Sequence, residues 1–482
     1  MEIISRLKTW VQSRRAIRGG MWLGVGSGAE NGLRFLRNII LARILAPEAF
    51  GAIAIVLAIN ALLESFTEVG IKEAIIQNPR GKERAFLNGA WWIALGRSVF
   101  LYAAAFVSAP FIAGFYGNPE LVPLMRVVFL SILFNGFMSS AAYVAVKQMA
   151  FGRWVLLFHG GSAVGIVATI GLAFAMRNVW ALAIGFALEA FFRTILSYAL
   201  CPFRPGLEFD RESTRSMMRY SRGMVGLPIL TFVFMRADIF VVGKLCTIEQ
   251  LGLYSMAAAL ARIPSQFISS IASRIVMPMF SEIQEDAVRV NVLLLKFTSA
   301  IMLLVCPMLA FVALYGGDVL RLTYGARYAI VAAPFVVVFA AELLRVGSVP
   351  IVAYYLGSGR PELHRLFTAV RAALMLILIY PATKAFGLEG AAAAGLVATA
   401  AGYVIQVRLI NKLTGLDLKH YALLHLRAAA ISLCVVLFWA VARIVPSVPS
   451  SAQVAIGLFG CLLSYGVAIR QFMNEGKGST AT

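Results

Sequence analysis

Arg43 to Ile53 reads RILAPEAFGAI, and 201 residues further on Lys244 to Tyr254 reads KLCTIEQLGLY. Each stretch joins two long apolar runs. Sliding the chain on itself by 201 residues lays Arg43 on Lys244, Leu45 on Cys246, Glu48 on Glu249, Phe50 on Leu251 and Gly51 on Gly252. The joint falls between the first and second apolar runs and again between the seventh and eighth, so the repeating unit is six runs. Six is even. The second copy therefore enters in the same orientation as the first, which predicts two parallel-related lobes. A polar stripe follows each joint: Asn60, Glu64, Thr67 and Glu68 after the first, Arg262, Gln266, Ser269 and Ser273 after the second. Two lobes that each offer a polar stripe from the same helix are expected to line a shared central cavity.

The medium around these runs is a bilayer. A chain of 482 residues that is 60% hydrophobic and 14% charged has too little polar surface to cover a soluble globule. A spanning helix needs about 20 apolar residues to cross roughly 30 Å of hydrocarbon, where no water satisfies free backbone groups. Fourteen such runs are present, at approximately 20–43, 50–70, 87–108, 122–146, 154–176, 180–200, 221–243, 252–274, 291–314, 329–356, 366–384, 390–410, 428–445 and 452–470. The predicted fold class is all-α. It is a polytopic membrane protein of about 14 transmembrane helices, with two six-helix lobes in a parallel-related repeat plus two extra C-terminal helices. The expected domains are an interfacial segment at 1–19, an N-lobe at 20–200, a linker at 201–220 and a C-lobe at 221–410. A second linker at 411–427, spans 13 and 14 within 428–470 and a tail at 471–482 complete the chain. The longest outer-side loops, 109–121 and 315–328, are too short to fold as domains.

The net charge of +20 is explained by orientation. With the N terminus inside, the cytoplasmic segments carry 25 Lys plus Arg, and the outer connections carry five, Arg177, Lys244, Arg321, Arg327 and Lys384. That asymmetry predicts both termini on the cytoplasmic side of a cell membrane. In MEIISRLKTWVQSRRAIRGG the apolar residues Ile3, Ile4, Leu7, Trp10 and Val11 recur at helical spacing among Arg6, Lys8, Arg14, Arg15 and Arg18. An interfacial helix resting on an anionic inner leaflet is expected, since the apolar stretch is interrupted and no small-residue cleavage site follows. Cys201, Cys246, Cys306, Cys434 and Cys461 are widely spaced and form no CxxC pair, so they read as packing residues, with no metal site implied.

Charges inside the spans carry the chemistry. Arg43, Arg126, Arg193, Lys296, Arg371, Arg408 and Arg443 lie near span ends, where a long side chain reaches the interface. Arg34, Arg37, Arg97, Arg236, Arg262 and Arg345 lie nearer the middle. A central Arg costs about 2.5–3.5 kcal/mol, so each is expected to face a partner or a wet cavity. Glu30, Arg34 and Arg37 share one face of span 1, and Glu342 with Arg345 forms an i, i+3 pair. Asp238 points away from Arg236, about 200° around the helix. Glu64 and Glu68 repeat one sign on one face and want cations or protons, which leaves two readings open: a proton or sodium coupling site, or a structural pairing with a cavity Arg. Glu30, Glu64, Glu68, Asp238 and Glu342 are the candidates for ion coupling or gating. The six central arginines, gathered in a wet cavity, suit bidentate binding of phosphate or carboxylate. His159, beside Gly160 and Gly161, reads as a packing position between helices. No GxxxxGK(S/T) loop is present, so ATP does not drive the process from within this chain. No catalytic residues are assigned, and there is no paired-His motif or outer domain for hydrolase or polymerase chemistry.

LARILAPEAFGAIAIVLAINALLESFTEVGIKEAIIQ, Leu41 to Gln77, resembles the N-terminal signature of polysaccharide flippases in the multidrug/oligosaccharidyl-lipid/polysaccharide exporter superfamily. RADIFVVGKLCTIEQLGLYSMAAALARIPSQF, Arg236 to Phe267, resembles the matching signature at the start of their second lobe. The resemblance implies movement of a polyprenyl-diphosphate-linked oligosaccharide from the inner to the outer leaflet of a bacterial inner membrane, for lipopolysaccharide or exopolysaccharide synthesis. It further implies alternating access through a cationic cavity, a proton or sodium gradient as the drive, no cofactor, and a polysaccharide polymerase or chain-length regulator as a partner. Arg34, Arg37 and Arg262 fall where related flippases carry cavity arginines. Two other readings stand beside it. A cation-coupled drug or metabolite exporter of the same superfamily would rely on acidic cavity residues, and here six central arginines face Glu30, Glu64, Glu68, Glu189, Asp238 and Glu342. A membrane glycan polymerase or ligase is opposed by the lack of any sizeable outer loop.

Overall fold

The computed structural model describes residues 2–66, 70–206, 227–444 and 450–478, and every regular element among them is helical. Thr67 and Glu68 of the first polar stripe lie outside the described residues, as do 207–220 of the predicted linker, the side chain of Ser273 and the side chains of residues 1–19. The helices run α1 (Glu2–Ile44), α2 (Pro47–Phe66), α3 (Ile71–Gln77), α4 (Arg84–Tyr116), α5 (Leu121–Val128), α6 (Leu130–Gly136), α7 (Ala141–Lys147), α8 (Phe151–Met176) and α9 (Trp180–Leu200). They continue with α10 (Leu227–Leu245), α11 (Ile248–Ile283), α12 (Ala287–Thr323), a 3-10 turn (Ala326–Val331), α13 (Ala332–Gly347) and α14 (Val349–Gly357). α15 (Pro361–Thr414), α16 (Leu418–Ile431), α17 (Leu433–Ile444) and α18 (Ser450–Gly478) complete the chain. They form two compact units, Met1–Phe232 with Thr247–Gly252, and Val233–Cys246 with Leu253–Thr482.

The repeated joint is a two-residue break between helices in both copies. In the first, Pro47 opens α2, where its missing N–H is no loss, and Glu48 meets the positive end of the helix. In the second, Thr247 Oγ1 accepts from the Gln250 N–H at 3.1 Å while Gln250 Oε1 accepts from the Thr247 N–H at 3.0 Å, a capping box. The two paired glycines meet within the first unit. A Cβ on Gly51 would lie 3.0 Å from the carbonyl carbon of Ile248, and one on Gly252 would lie 3.0 Å from the Gly51 nitrogen. The joint therefore repeats with its glycine because the two copies touch backbone to backbone.

Nine helical stretches among the described residues are long and apolar enough to span a membrane, ten if α5–α6 and α7, bent by 63°, count as one span. Helical residues stand at each of the fourteen predicted places, yet fewer than fourteen stretches among the described residues have that length and apolarity. α1 carries Glu30, Arg34 and Arg37 in its apolar part, and the 54 residues of α15 are counted once although Gly387 breaks it (φ 56°, ψ −134°). Glycine alone adopts that backbone freely, and it separates predicted spans 11 and 12.

Several boundaries move. α4 runs to Tyr116 and α12 to Thr323, so most of the loops expected at 109–121 and 315–328 is helix. Apolar residues such as Phe111, Ile112 and Phe115 in the first and Val319, Leu320 and Leu322 in the second continue the helical pattern, and Gly117 then ends α4 in the left-handed conformation. Most of 411–427 is also helical: Asp417 caps α16 by accepting from the Lys419 N–H at 2.8 Å. α1 is continuous from Glu2, with no break at residue 20.

Packing in the first unit centres on α8 against α9 and α1. Gly161 and Gly165 sit where a Cβ would approach Arg193 Cα to 3.0 Å and Glu189 Cα to 2.7 Å. This small-xxx-small pair lets α9 lie close to α8 and sets Glu189 and Arg193 beside Ser162. The second unit has an aromatic core that includes Phe280, Tyr354, Tyr355, Phe367 and Tyr421, all buried.

Candidate functional site

The first unit holds a part-buried ion network on three helices, centred on the buried Glu189. Glu189 Oε1 accepts from Arg34 Nη2 at 2.5 Å, Arg193 Nη2 at 2.9 Å and Ser162 Oγ at 2.9 Å. Arg34 also donates from Nε to Glu30 Oε1 at 2.8 Å, and the other Glu30 oxygen bonds His159 Nδ1. Three hydrogen bonds on one carboxylate oxygen satisfy charge that hydrocarbon would penalise. Arg37 stands apart, with its Nη2 donating to Asn38 Oδ1 at 3.2 Å.

Beside this network a cavity of about 570 Å³ opens in the same unit. Its lining includes Glu64, Lys72, Glu73, Arg97, Asn135 and Arg193. Arg97 donates to the Glu64 carbonyl oxygen at 3.2 Å, and Glu64 Oε1 accepts from Asn135 Nδ2 at 3.4 Å. The wall thus presents cationic groups that match phosphate oxygens, and amide and hydroxyl groups that match a sugar.

The second unit pairs its charges on α10, α11 and α13. Arg262 lies 3.5 Å from Asp238 and 3.6 Å from Glu342. Glu342 Oε2 also accepts from Arg345 Nη2 at 2.7 Å and Ser265 Oγ at 2.7 Å, and Tyr254 donates to Asp238 Oδ2 at 3.1 Å. A small pocket of about 50 Å³ is lined by Phe234, Asp238, Arg262, Glu342 and Arg345 among others. Arg236, half-buried on α10, is not in that lining.

The structure therefore gathers Arg34 with Glu30, Arg97 with Glu64, and Arg262 and Arg345 with Asp238 and Glu342. It leaves Arg37 and Arg236 outside those groupings, and Glu68 lies outside the described residues. Three residues set aside in the sequence have other surroundings. Arg193, assigned to the interface, is bound to Glu189. His159, assigned to packing, is bound to Glu30. Arg371, also assigned to the interface, is buried at 8% exposure with its guanidinium 4.5 Å over Phe234. Arg193 follows Glu189 at i+4, a spacing that was legible; the cross-helix partners of His159 and Arg371 leave no such mark.

The fold is that of a known class of membrane protein. It superposes on the solved structure of the lipid II flippase MurJ in an inward closed conformation with a TM-score of 0.75, at 12% identity, over 93% of this chain and 99% of that one. The chain belongs to the polysaccharide biosynthesis protein family, whose sequence model matches residues 40–333. Among characterised relatives it is similar to the lipopolysaccharide biosynthesis protein WzxC of Escherichia coli, 22% identical over 82% of this chain and 79% of that protein. It is also similar to the succinoglycan biosynthesis transport protein ExoT of Rhizobium meliloti, 25% identical over 66% of this chain and 64% of that one, just under two thirds of its length.

Proposed function

We propose that this protein moves a polyprenyl-diphosphate-linked oligosaccharide from the cytoplasmic to the periplasmic leaflet of a bacterial inner membrane, by alternating access. The cargo unit is consumed by a polysaccharide polymerase in lipopolysaccharide or exopolysaccharide synthesis. The family and the likeness to WzxC support the pathway, and the likeness to the transport protein ExoT and to the fold of the flippase MurJ supports transport. The observation that carries the reading is the cavity of about 570 Å³ among apolar helices, with Arg97, Arg193 and Lys72 in its wall. A diphosphate head cannot cross hydrocarbon unaided and its lipid tail need not leave it, so a cationic, hydrogen-bonding pocket lowers the barrier for the head alone.

The drug-exporter reading is disfavoured by the same geometry. A carboxylate that takes organic cations must be available: Glu30, Glu189, Asp238 and Glu342 are each held by an arginine, and Glu64 and Glu73 in the cavity wall stand among three cations, Lys72, Arg97 and Arg193. Coupling to an ion gradient belongs to the proposal as well. Glu30 is the carboxylate with a titratable partner, His159, and faces Arg34 on the other side; proton exchange there is the proposed drive. Both termini are placed in the cytoplasm on the strength of the Lys and Arg distribution.

The test is reconstitution into vesicles with a fluorescent polyprenyl-diphosphate oligosaccharide and an impermeant quencher. Wild-type protein is expected to equilibrate the lipid between leaflets. Arg97→Ala, which removes a charge-assisted contact of about 1.5–3 kcal/mol, is expected to slow it about tenfold or more. An unchanged rate would remove the first-unit cavity from the path.

A further inference from the structure

Arg371 lies ten residues into α15, about 15 Å along its axis and far from the helix start. It is enclosed by protein. Its Nε and Nη2 are sealed from solvent and donate to nothing among the described residues. Phe234 on α10 supports the guanidinium from one face at 4.5 Å. On the far arm of α15, Gly402 leaves the space its stem needs, because a Cβ there would come within 2.5 Å of Arg371 Cγ and Cδ. The other central arginines of this unit with resolved pairing, Arg262 and Arg345, share Asp238 and Glu342. Arg371 is a third cation of that unit, and among the described residues no ion pair joins it to either carboxylate, whose oxygens are engaged by Arg262, Arg345, Ser265 and Tyr254.

A buried guanidinium with a prepared slot, an aromatic support and no acceptor for its Nε and Nη2 among the described residues is costly unless an anion reaches it. Phe234 also lines the small pocket that holds Arg262 and Arg345. That pocket has a volume of about 50 Å³, several times the roughly 10–15 Å³ that one water requires; Arg371 itself is not in its lining and adjoins it through Phe234. We propose that Arg371 is a binding residue for a phosphate group in the second unit, its Nε and Nη2 donating in parallel to two phosphate oxygens, with Arg345 as the neighbouring cation. The site rests on this geometry; that the phosphate is the diphosphate of the lipid-linked cargo rests on the function proposed above.

The experiment uses the purified full-length protein in phosphatidylcholine nanodiscs and measures binding of farnesyl diphosphate, inorganic diphosphate and, in separate discs, phosphatidylglycerol. Arg371→Met keeps the volume and removes the charge, and Arg371→Lys keeps the charge and removes the fork. Farnesyl diphosphate is expected to bind the wild type, at least tenfold more weakly to Arg371→Met and several-fold more weakly to Arg371→Lys. The thermal midpoint of Arg371→Met without ligand is expected to equal or exceed the wild-type value, because a buried unpaired charge has gone. A purely structural role would lower it. Arg371-dependent binding of phosphatidylglycerol in place of farnesyl diphosphate would keep the phosphate site and assign it to a bilayer lipid. Unchanged binding of every probe to folded Arg371→Lys and Arg371→Met would overturn the proposal. Binding that depends on Arg371 in a protein that flips no lipid-linked sugar would defeat the function proposed above and leave the site standing.

Discussion

Glu189 is the residue on which the first unit's charges converge. It is 5% exposed and accepts from two arginines and a serine through one oxygen. Removing it leaves the partly exposed Arg34 and Arg193 without their shared counter-charge; breaking a fully buried ion pair from one side costs about 3–5 kcal/mol, and the loss here is expected below that. Glu189→Ala is therefore expected to lower the thermal midpoint of the detergent-purified protein sharply, with Glu189→Gln intermediate. A midpoint equal to wild type for both would show that the network does not hold the unit together. Glu30→Gln keeps the shape and removes the proton exchange proposed with His159. It is expected to lower the midpoint less than Glu189→Gln does, because Arg34 keeps Glu189, and to abolish the acceleration of flipping by an imposed proton gradient; acceleration undiminished in this variant refutes the coupling. Central charges were legible in the sequence because any charge in an apolar run stands out. Their partners were legible only at spacings of three or four, as for Glu30 with Arg34. The pairing of Arg34 with Glu189, 155 residues apart, depends on how closely α8 and α9 pack and so needed the fold.

Among the elements, the joint quoted at the outset carries the strongest demand on sequence. Gly51 and Gly252 face the other copy's backbone, which cannot move aside as a flexible side chain could. Gly51→Ala or Gly252→Ala is expected to cost about 1–3 kcal/mol as overpacking and to lower the yield of folded protein, whereas Gly32→Ala on α1, with open space around its position, is expected to be silent. Equal behaviour of the three variants would separate the repeat from the contact. The repeat itself was readable because glycine, the acidic residue and the apolar flanks recur in order. Element lengths were less so. Hydropathy marks where a run is apolar, and helices such as α4 and α12 continue past it until a cap such as Gly117 ends them. Arg371 was hidden in the same way: the apolar run begins near 366, whereas α15 begins at Pro361, so the residue stands ten positions into the helix.

At the scale of the whole chain, the charge asymmetry and the length of the apolar helices define a multi-pass membrane protein, and its family is that of polysaccharide biosynthesis proteins. Reporter domains fused at residue 1 and after residue 482 are expected to be active only as cytoplasmic reporters; periplasmic activity at either end would reverse the assigned orientation. The central claim is that the cargo is a lipid-linked sugar unit. Its most direct test is mass spectrometry of membrane lipids from a strain that lacks this protein and any second flippase of the family, with leaflet accessibility measured by an impermeant probe. The prediction is accumulation of polyprenyl-diphosphate oligosaccharide as a single repeat unit, shielded on the cytoplasmic side, with loss of the surface polymer. A normal lipid profile with intact polymer would contradict it and shift the function to export of a smaller molecule.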